Sequence, residues 1–219
     1  MNTFVIGLGL LTAAEARLGS VEAQDKTSKY VATFDKATTD IDGEFEISIK
    51  DDGSVKYEVE FDLNDFTSFD QCDLTAGLGY HIHSTWTGGD VAGVSSAVAG
   101  ACGGQSTKGH YDPFLACGKA TSSVDECALL GRTAATYACD YSTNKASCEV
   151  GDLSGKYGKI MPKSSTDLKF KFKGEDALGP LDENYAVVES GLTKTWESVV
   201  FHCAAGGSRQ FCAKFVKKD

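Results

Sequence analysis

A chain of 219 residues has room for one self-sufficient domain of about 150 to 200 residues once its termini are set aside. Hydrophobic residues at 42%, only three Pro and 24 Gly describe a globular protein with many turns and argue against disorder away from the ends. A net charge of −10 argues against nucleic acid or an anionic membrane as a partner, and it means that an anionic substrate must be drawn in by a local positive field.

Residues 4–14 form a short apolar run, followed by the small-x-small patterns Ala14-Glu15-Ala16 and Val21-Glu22-Ala23. This reads as a secretory leader over residues 1–23, cleaved after Ala16 or Ala23, although no Lys or Arg precedes the apolar run. No other run approaches the length of a membrane span, and the polar end Lys214-Phe215-Val216-Lys217-Lys218-Asp219 carries no lipid-anchor tail. The expected product is a soluble extracellular domain over residues 24–219.

Strands dominate the pattern that follows. Residues 29–37 alternate, and residues 43–50 alternate strictly, with Phe45, Ile47 and Ile49 on one face. Asp51-Asp52-Gly53 is a hairpin turn into residues 54–63, where Val55, Tyr57, Val59 and Phe61 share a face. After a polar connection containing Cys72, Gly79-Tyr80-His81-Ile82-His83 lies on a strand, whose period of two puts both imidazoles on one side and Ile82 on the other. Residues 88–108 are rich in Gly, Ala and Ser and read as a long loop around Cys102. Residues 112–147 lack sustained periodicity apart from one short helix that Ser122 or Ser123 would cap. Further strands are expected at 156–162, 166–174, 185–190, 195–203 and 208–216. The array is all-β, an antiparallel sandwich or barrel.

The eight Cys include no CxxC, which excludes a zinc ribbon or thioredoxin-type motif and, behind a leader, points to disulfides. Cys117, Cys127, Cys139 and Cys148 fall close together and suggest an insert stapled by its own bridges. Of the four histidines, His81, His83 and His110 cluster in sequence, and His202 stands near the C-terminus. Such a set is suited to one four-imidazole metal centre, a donor type that fits copper, zinc, iron or nickel.

In order along residues 29–216, five segments resemble the copper/zinc superoxide dismutase family. They are the His81-Ile82-His83 strand, Gly109-His110-Tyr111-Asp112-Pro113, Gly151-Asp152-Leu153, Val199-Val200-Phe201-His202, and Gly207-Ser208-Arg209 followed by Cys212. The resemblance implies an eight-stranded Greek-key β-barrel with His81, His83, His110 and His202 as copper ligands. It implies Arg209 as the arginine that guides the anion, and a disulfide between Cys102 and Cys212. Two departures are plain: no His lies between His110 and His202, where the bimetallic enzymes hold zinc, and the loop between His202 and Arg209 is very short. Glu149 stands where a zinc-binding His would be and Asp152 matches an Asp ligand, a poor zinc site by themselves.

Both departures are similar to the copper-only superoxide dismutases secreted by fungi and oomycetes, in which a Glu replaces zinc in orienting a ligand. The function so implied is disproportionation of superoxide with copper and without zinc. His110 would be the imidazole that detaches and takes a proton, and Glu149 would accept a hydrogen bond from its far nitrogen. The competing reading is an extracellular copper-sequestering protein on the same fold, against which Arg209 speaks, because binding alone needs no guanidinium beside the metal. Protein partners cannot be named from these residues.

Overall fold

The computed structural model describes residues 27–68, 71–89, 92–94, 101–176, 195–205 and 207–218. The leader at 1–23 and the strand expected at 185–190 lie outside the described residues. Among the described residues, ten strands form two antiparallel sheets, with only short helices between them.

The first sheet grows from the alternating segments. Strands β1 (Ser28–Phe34), β2 (Asp42–Ile49) and β3 (Val55–Asp62) form a meander. Gly53, at φ +79°, and the bond from the Ser54 amide to Asp52 Oδ1 close the tight β2–β3 turn. Strand β3 then pairs not with the next strand but with the later β7 (Asp167–Asp176), whose other neighbour is β6 (Pro162–Ser164). The second sheet has the order β4 (Leu78–His83), β8 (Ser198–Cys203), β9 (Arg209–Lys214), β5 (Gly93–Val94). This departure and return is the Greek-key crossing.

Two devices close the sandwich toward a barrel. At one edge Leu78 and Ile160 exchange backbone hydrogen bonds of 2.9 and 3.0 Å. At the other, the chain leaves β9, turns at Phe215 and continues as β10 (Val216–Lys218), paired with β1 in the opposite sheet. Between the sheets lie Phe45, Tyr57, Phe61, Tyr80, Phe201 and Phe211, all essentially fully buried. The rings interlock, Phe201 stacking on Phe211 at 4.6 Å and meeting Phe61 edge-on at 4.9 Å. Each such burial contributes about 1.5 to 3 kcal/mol.

Four disulfides brace this frame. Cys72–Cys203 and Cys102–Cys212 join elements distant in sequence, whereas Cys117–Cys127 and Cys139–Cys148 staple the insert locally. Among the described residues, no helix is long and apolar enough to cross a membrane.

Some expectations are corrected. The strand expected over 156–162 is largely absent. Residues 153–157 instead form helix α4 (Leu153–Tyr157), numbered after α1 (Lys36–Thr39), α2 (Gly104–Thr107) and α3 (Val124–Leu129). Asp152 caps α4 by accepting from the Gly155 amide, and Gly158 ends it at φ +79°. Helix α3 begins after Ser123, yet the Ser123 hydroxyl does not cap it and donates to the Asp112 carbonyl instead. Strand β8 starts at Ser198, three residues later than the pattern suggests.

Candidate metal centre

Strand β4 supplies His81 and His83, and Ile82 between them points into the core at 0% exposure. His202 arrives on β8, whose pairing sets Gly79 opposite it. Two irregular segments are then docked on the free edge of β4 by a ring of backbone bonds. The Ile82 amide donates to Gly151 O, the Gly151 amide to Tyr111 O, and the Tyr111 amide back to Ile82 O. A Cβ on Gly151 would meet Ile82 O at 2.2 Å, so only glycine permits this approach. The ring places His110 beside His83 and brings Glu149 and Asp152 beside the histidines.

Imidazole rings therefore converge. His81 stacks on His110 with centroids 4.0 Å apart, and His81 lies 4.7 Å from His202. Ligand atoms of His81, His83 and His202 all fall within 4.8 Å of one another, and those of His81, His110 and Asp152 do the same. Each ring is oriented from behind. His83 donates Nδ1–H to Lys108 O at 2.9 Å, and His202 donates Nδ1–H to Gly207 O at 2.9 Å. His110 Nδ1 lies 2.6 Å from Glu149 Oε2, and His81 Nε2 lies 3.5 Å from Asp152 Oδ1. The three hydrogen bonds assign the proton of His83, His110 and His202 to Nδ1, which leaves a lone pair on each Nε2, and Asp152 faces Nε2 of His81, on the side away from its Nδ1.

Three of those inner nitrogens, His81 Nδ1, His83 Nε2 and His202 Nε2, are buried without any hydrogen-bond partner. Buried polar atoms are rarely left so, and a metal ion is the partner that this donor set fits. Burial keeps His81, His83 and His202 neutral and ready to ligate. His81 and His83 are pushed well below the ordinary range by desolvation and by the neighbouring rings, and His202 is lowered to about 4 for the same first reason. Glu149, 1% exposed, has its carboxyl pushed up by desolvation, against which its bond to His110 pulls down.

Arg209 begins β9 opposite His202. Its guanidinium donates to Cys102 O at 2.8 Å, to Thr107 Oγ1, and to Lys108 O at 2.9 Å. Lys108 O thus receives both Arg209 and His83, which fixes the cation next to the histidines. Desolvation lowers the Arg209 pKa without removing its charge. The Cys102–Cys212 bridge holds the loop that presents these acceptors, and Trp86 packs with it.

The structure thus places His81, His83, His110, His202, Glu149, Asp152 and Arg209 at one centre. Sequence reasoning missed several supporting residues. Lys108 takes φ +54°, a rare conformation for a side-chain-bearing residue, to aim its carbonyl. Gly118 lies so close to Glu149 that a Cβ would stand 2.5 Å from Oε1. Asp112 is fully buried and accepts from the Ala116 and Cys117 amides and the Thr121 hydroxyl. The Tyr137 hydroxyl donates to Asp152 Oδ2 at 2.7 Å.

No protein-family profile matches the sequence, and no curated protein matches it. Solved structures do. The Cu(II) form of Candida albicans superoxide dismutase 5 superposes with a TM-score of 0.52 at 20% identity, over 89% of this chain and 94% of its own. A Glu-to-Gln variant of that enzyme gives 0.52 at 21% identity, over 88% and 93%. A Glu-to-Ala variant gives 0.50 at 20%, over 87% and 89%. The fold is therefore the superoxide-dismutase-like Greek-key barrel. At such identity the likeness defines the architecture, and the chemistry has to be argued from this chain's own residues.

Proposed function

We propose that this chain is an extracellular superoxide dismutase that uses copper and no zinc. The observation that carries the reading is the trio of buried, partnerless imidazole nitrogens on His81, His83 and His202, beside the fixed guanidinium of Arg209. With His110 they make a four-nitrogen donor set, and copper bound there would supply alternate one-electron reduction and oxidation of superoxide.

The residues supply the rest. Arg209 offers a permanent positive charge to a small anion, a local field that a chain of net charge −10 needs. His110 Nε2 is the atom at which a proton is taken up and handed on toward the peroxide product. Glu149, bonded to Nδ1, holds that ring's tautomer and orientation. The direct contact between His110 and Glu149 also supports work without zinc, because the carboxylate takes the position from which a second ion would reach Nδ1. Four disulfides and the apolar N-terminal run support secretion as a single domain after cleavage of the leader.

The test is metal content and superoxide dismutation on one secreted sample, reconstituted with copper alone and with copper plus zinc. Full activity with copper alone and no bound zinc is expected. Copper retained without turnover would favour sequestration, and stoichiometric zinc would overturn the roles given to Glu149 and Asp152.

A further inference from the structure

The insert between Cys117 and Cys148 is not idle loop. Its half-buried Tyr137 lies between the two local bridges, and its hydroxyl touches both carboxylate-bearing residues of the centre. It donates to Asp152 Oδ2 at 2.7 Å and accepts the Glu149 amide N–H at 3.3 Å. Asp152 faces His81 through its other oxygen, and Glu149 holds His110 through its side chain. One phenol oxygen therefore joins the supports of two different imidazoles.

Position and chemistry are both fixed. Tyr137 stands two residues before Cys139 and Glu149 one residue after Cys148, so the Cys139–Cys148 bridge clamps the two strands of chain that carry them. The Asp140 amide adds a bond to Ser147 Oγ at 2.8 Å across the same neck. Arg132 ties the insert's outer turn to Leu115 O. Desolvation and then the Asp152 charge push the phenol pKa up, which keeps the hydroxyl a donor. Without it, Asp152 Oδ2 would lose its one hydrogen bond and the Glu149 amide would lose its acceptor.

We infer that Tyr137 is a positioning residue, through which the disulfide-stapled insert fixes the orientation of His81 and His110 by way of Asp152 and Glu149. The inference rests on the reading of the four imidazoles as a metal centre. Tyr141 provides a control from the same insert, because its hydroxyl bonds to Asp176.

The experiment compares wild type, Tyr137→Phe and Tyr141→Phe as full secreted chains. Long-range proton–nitrogen correlation on the metal-free proteins reports the tautomer of each imidazole, and copper(II) titration with electron paramagnetic resonance reports affinity and ligand field. Tyr137→Phe should move the His81 and His110 signals, leave those of His83 and His202 in place, and weaken copper binding about tenfold, the lower end of the range for such supporting residues. Tyr141→Phe should leave all four in place. Unmoved His81 and His110 in Tyr137→Phe, or equal movement in Tyr141→Phe, would overturn the inference. Should Tyr137→Phe fail to accumulate, fluorotyrosine at position 137 keeps the shape, strengthens the donor, and must shift the same two histidines. If wild type takes up no copper, the proposed function falls, while the metal-free spectra still decide the role of Tyr137.

Discussion

His83 and His202 rest on backbone carbonyls, Lys108 O and Gly207 O, whereas His81 and His110 rest on the carboxylates of Asp152 and Glu149. The first pair stands on paired strands with neutral acceptors that no side-chain change can delete. The second pair depends on side chains delivered by an irregular segment, and its acceptors carry charge. One half of the centre is thus a rigid seat, and the other can be tuned, because a carboxylate behind an imidazole raises its basicity.

The largest effect expected from this contrast is on the metal-free protein in acid. The folded pKa of His202, about 4, lies below its ordinary 6.5, so the unfolded chain binds more protons in between. Stability is then complete above about pH 6.5 and declines as pH falls toward about 4. His202 alone accounts for roughly 3 kcal/mol at about 1.4 kcal/mol per pKa unit, with His81 and His83 acting in the same direction. Glu149 has the opposite sign. Its raised pKa gives a contribution that is full below 4.5 and is lost as pH rises through the folded value, so Glu149→Gln should steepen the acid decline while His202→Gln flattens it. Melting temperature against pH reads this directly, and a flat profile from pH 7 to 4.5 would break the contrast.

Next in size is the loss of the charge behind His110. Glu149→Gln should lower dismutation about 10- to 100-fold with copper still bound, and it should alter the pH profile of the rate. An unchanged rate would show that the carboxylate half is passive.

Gly118→Ala should act in the same direction more weakly, a several-fold loss, because its Cβ would press on Glu149 Oε1 and force the carboxylate aside. The copper(II) spectrum should shift toward that of Glu149→Gln, and an unperturbed spectrum would mean that the loop yields instead.

Smallest is Arg209→Lys. The charge survives but the fork that bonds Cys102 O, Thr107 and Lys108 O does not, so the rate should fall less than about tenfold and keep its decline with salt. A loss of the salt dependence in Arg209→Lys would mean that geometry, not charge, draws in the anion.

The two halves were not equally legible in the sequence. Strict alternation in β2 and β3 gave both sheet faces, and a period of two gave His81 and His83 a common side, since a strand repeats and its burial repeats with it. The last two residues of helix α4, 156 and 157, were misread as strand because five residues are too few for a helical period, and the Lys156 ammonium adds a remote contact by reaching buried Asp176 at 2.5 Å. Gly118, Tyr137 and the Lys108 carbonyl act through contacts between irregular segments, which leave no period to read. Glu149 and Asp152 were found only through the family resemblance, not through any local pattern.

The insert's local bridges span sequence separations of just 10 and 9 residues, and its outer side shows Val124 and Leu129 to solvent at 64% and 87% exposure. Its inner contacts, by contrast, run through a few fixed points, Gly118, Tyr137 and Cys148. Residues on the outer side are therefore free to diverge among descendants of this chain while the inner points stay constrained. The surface beside the histidine cluster can change its appearance to the outside without disturbing the contacts beneath it.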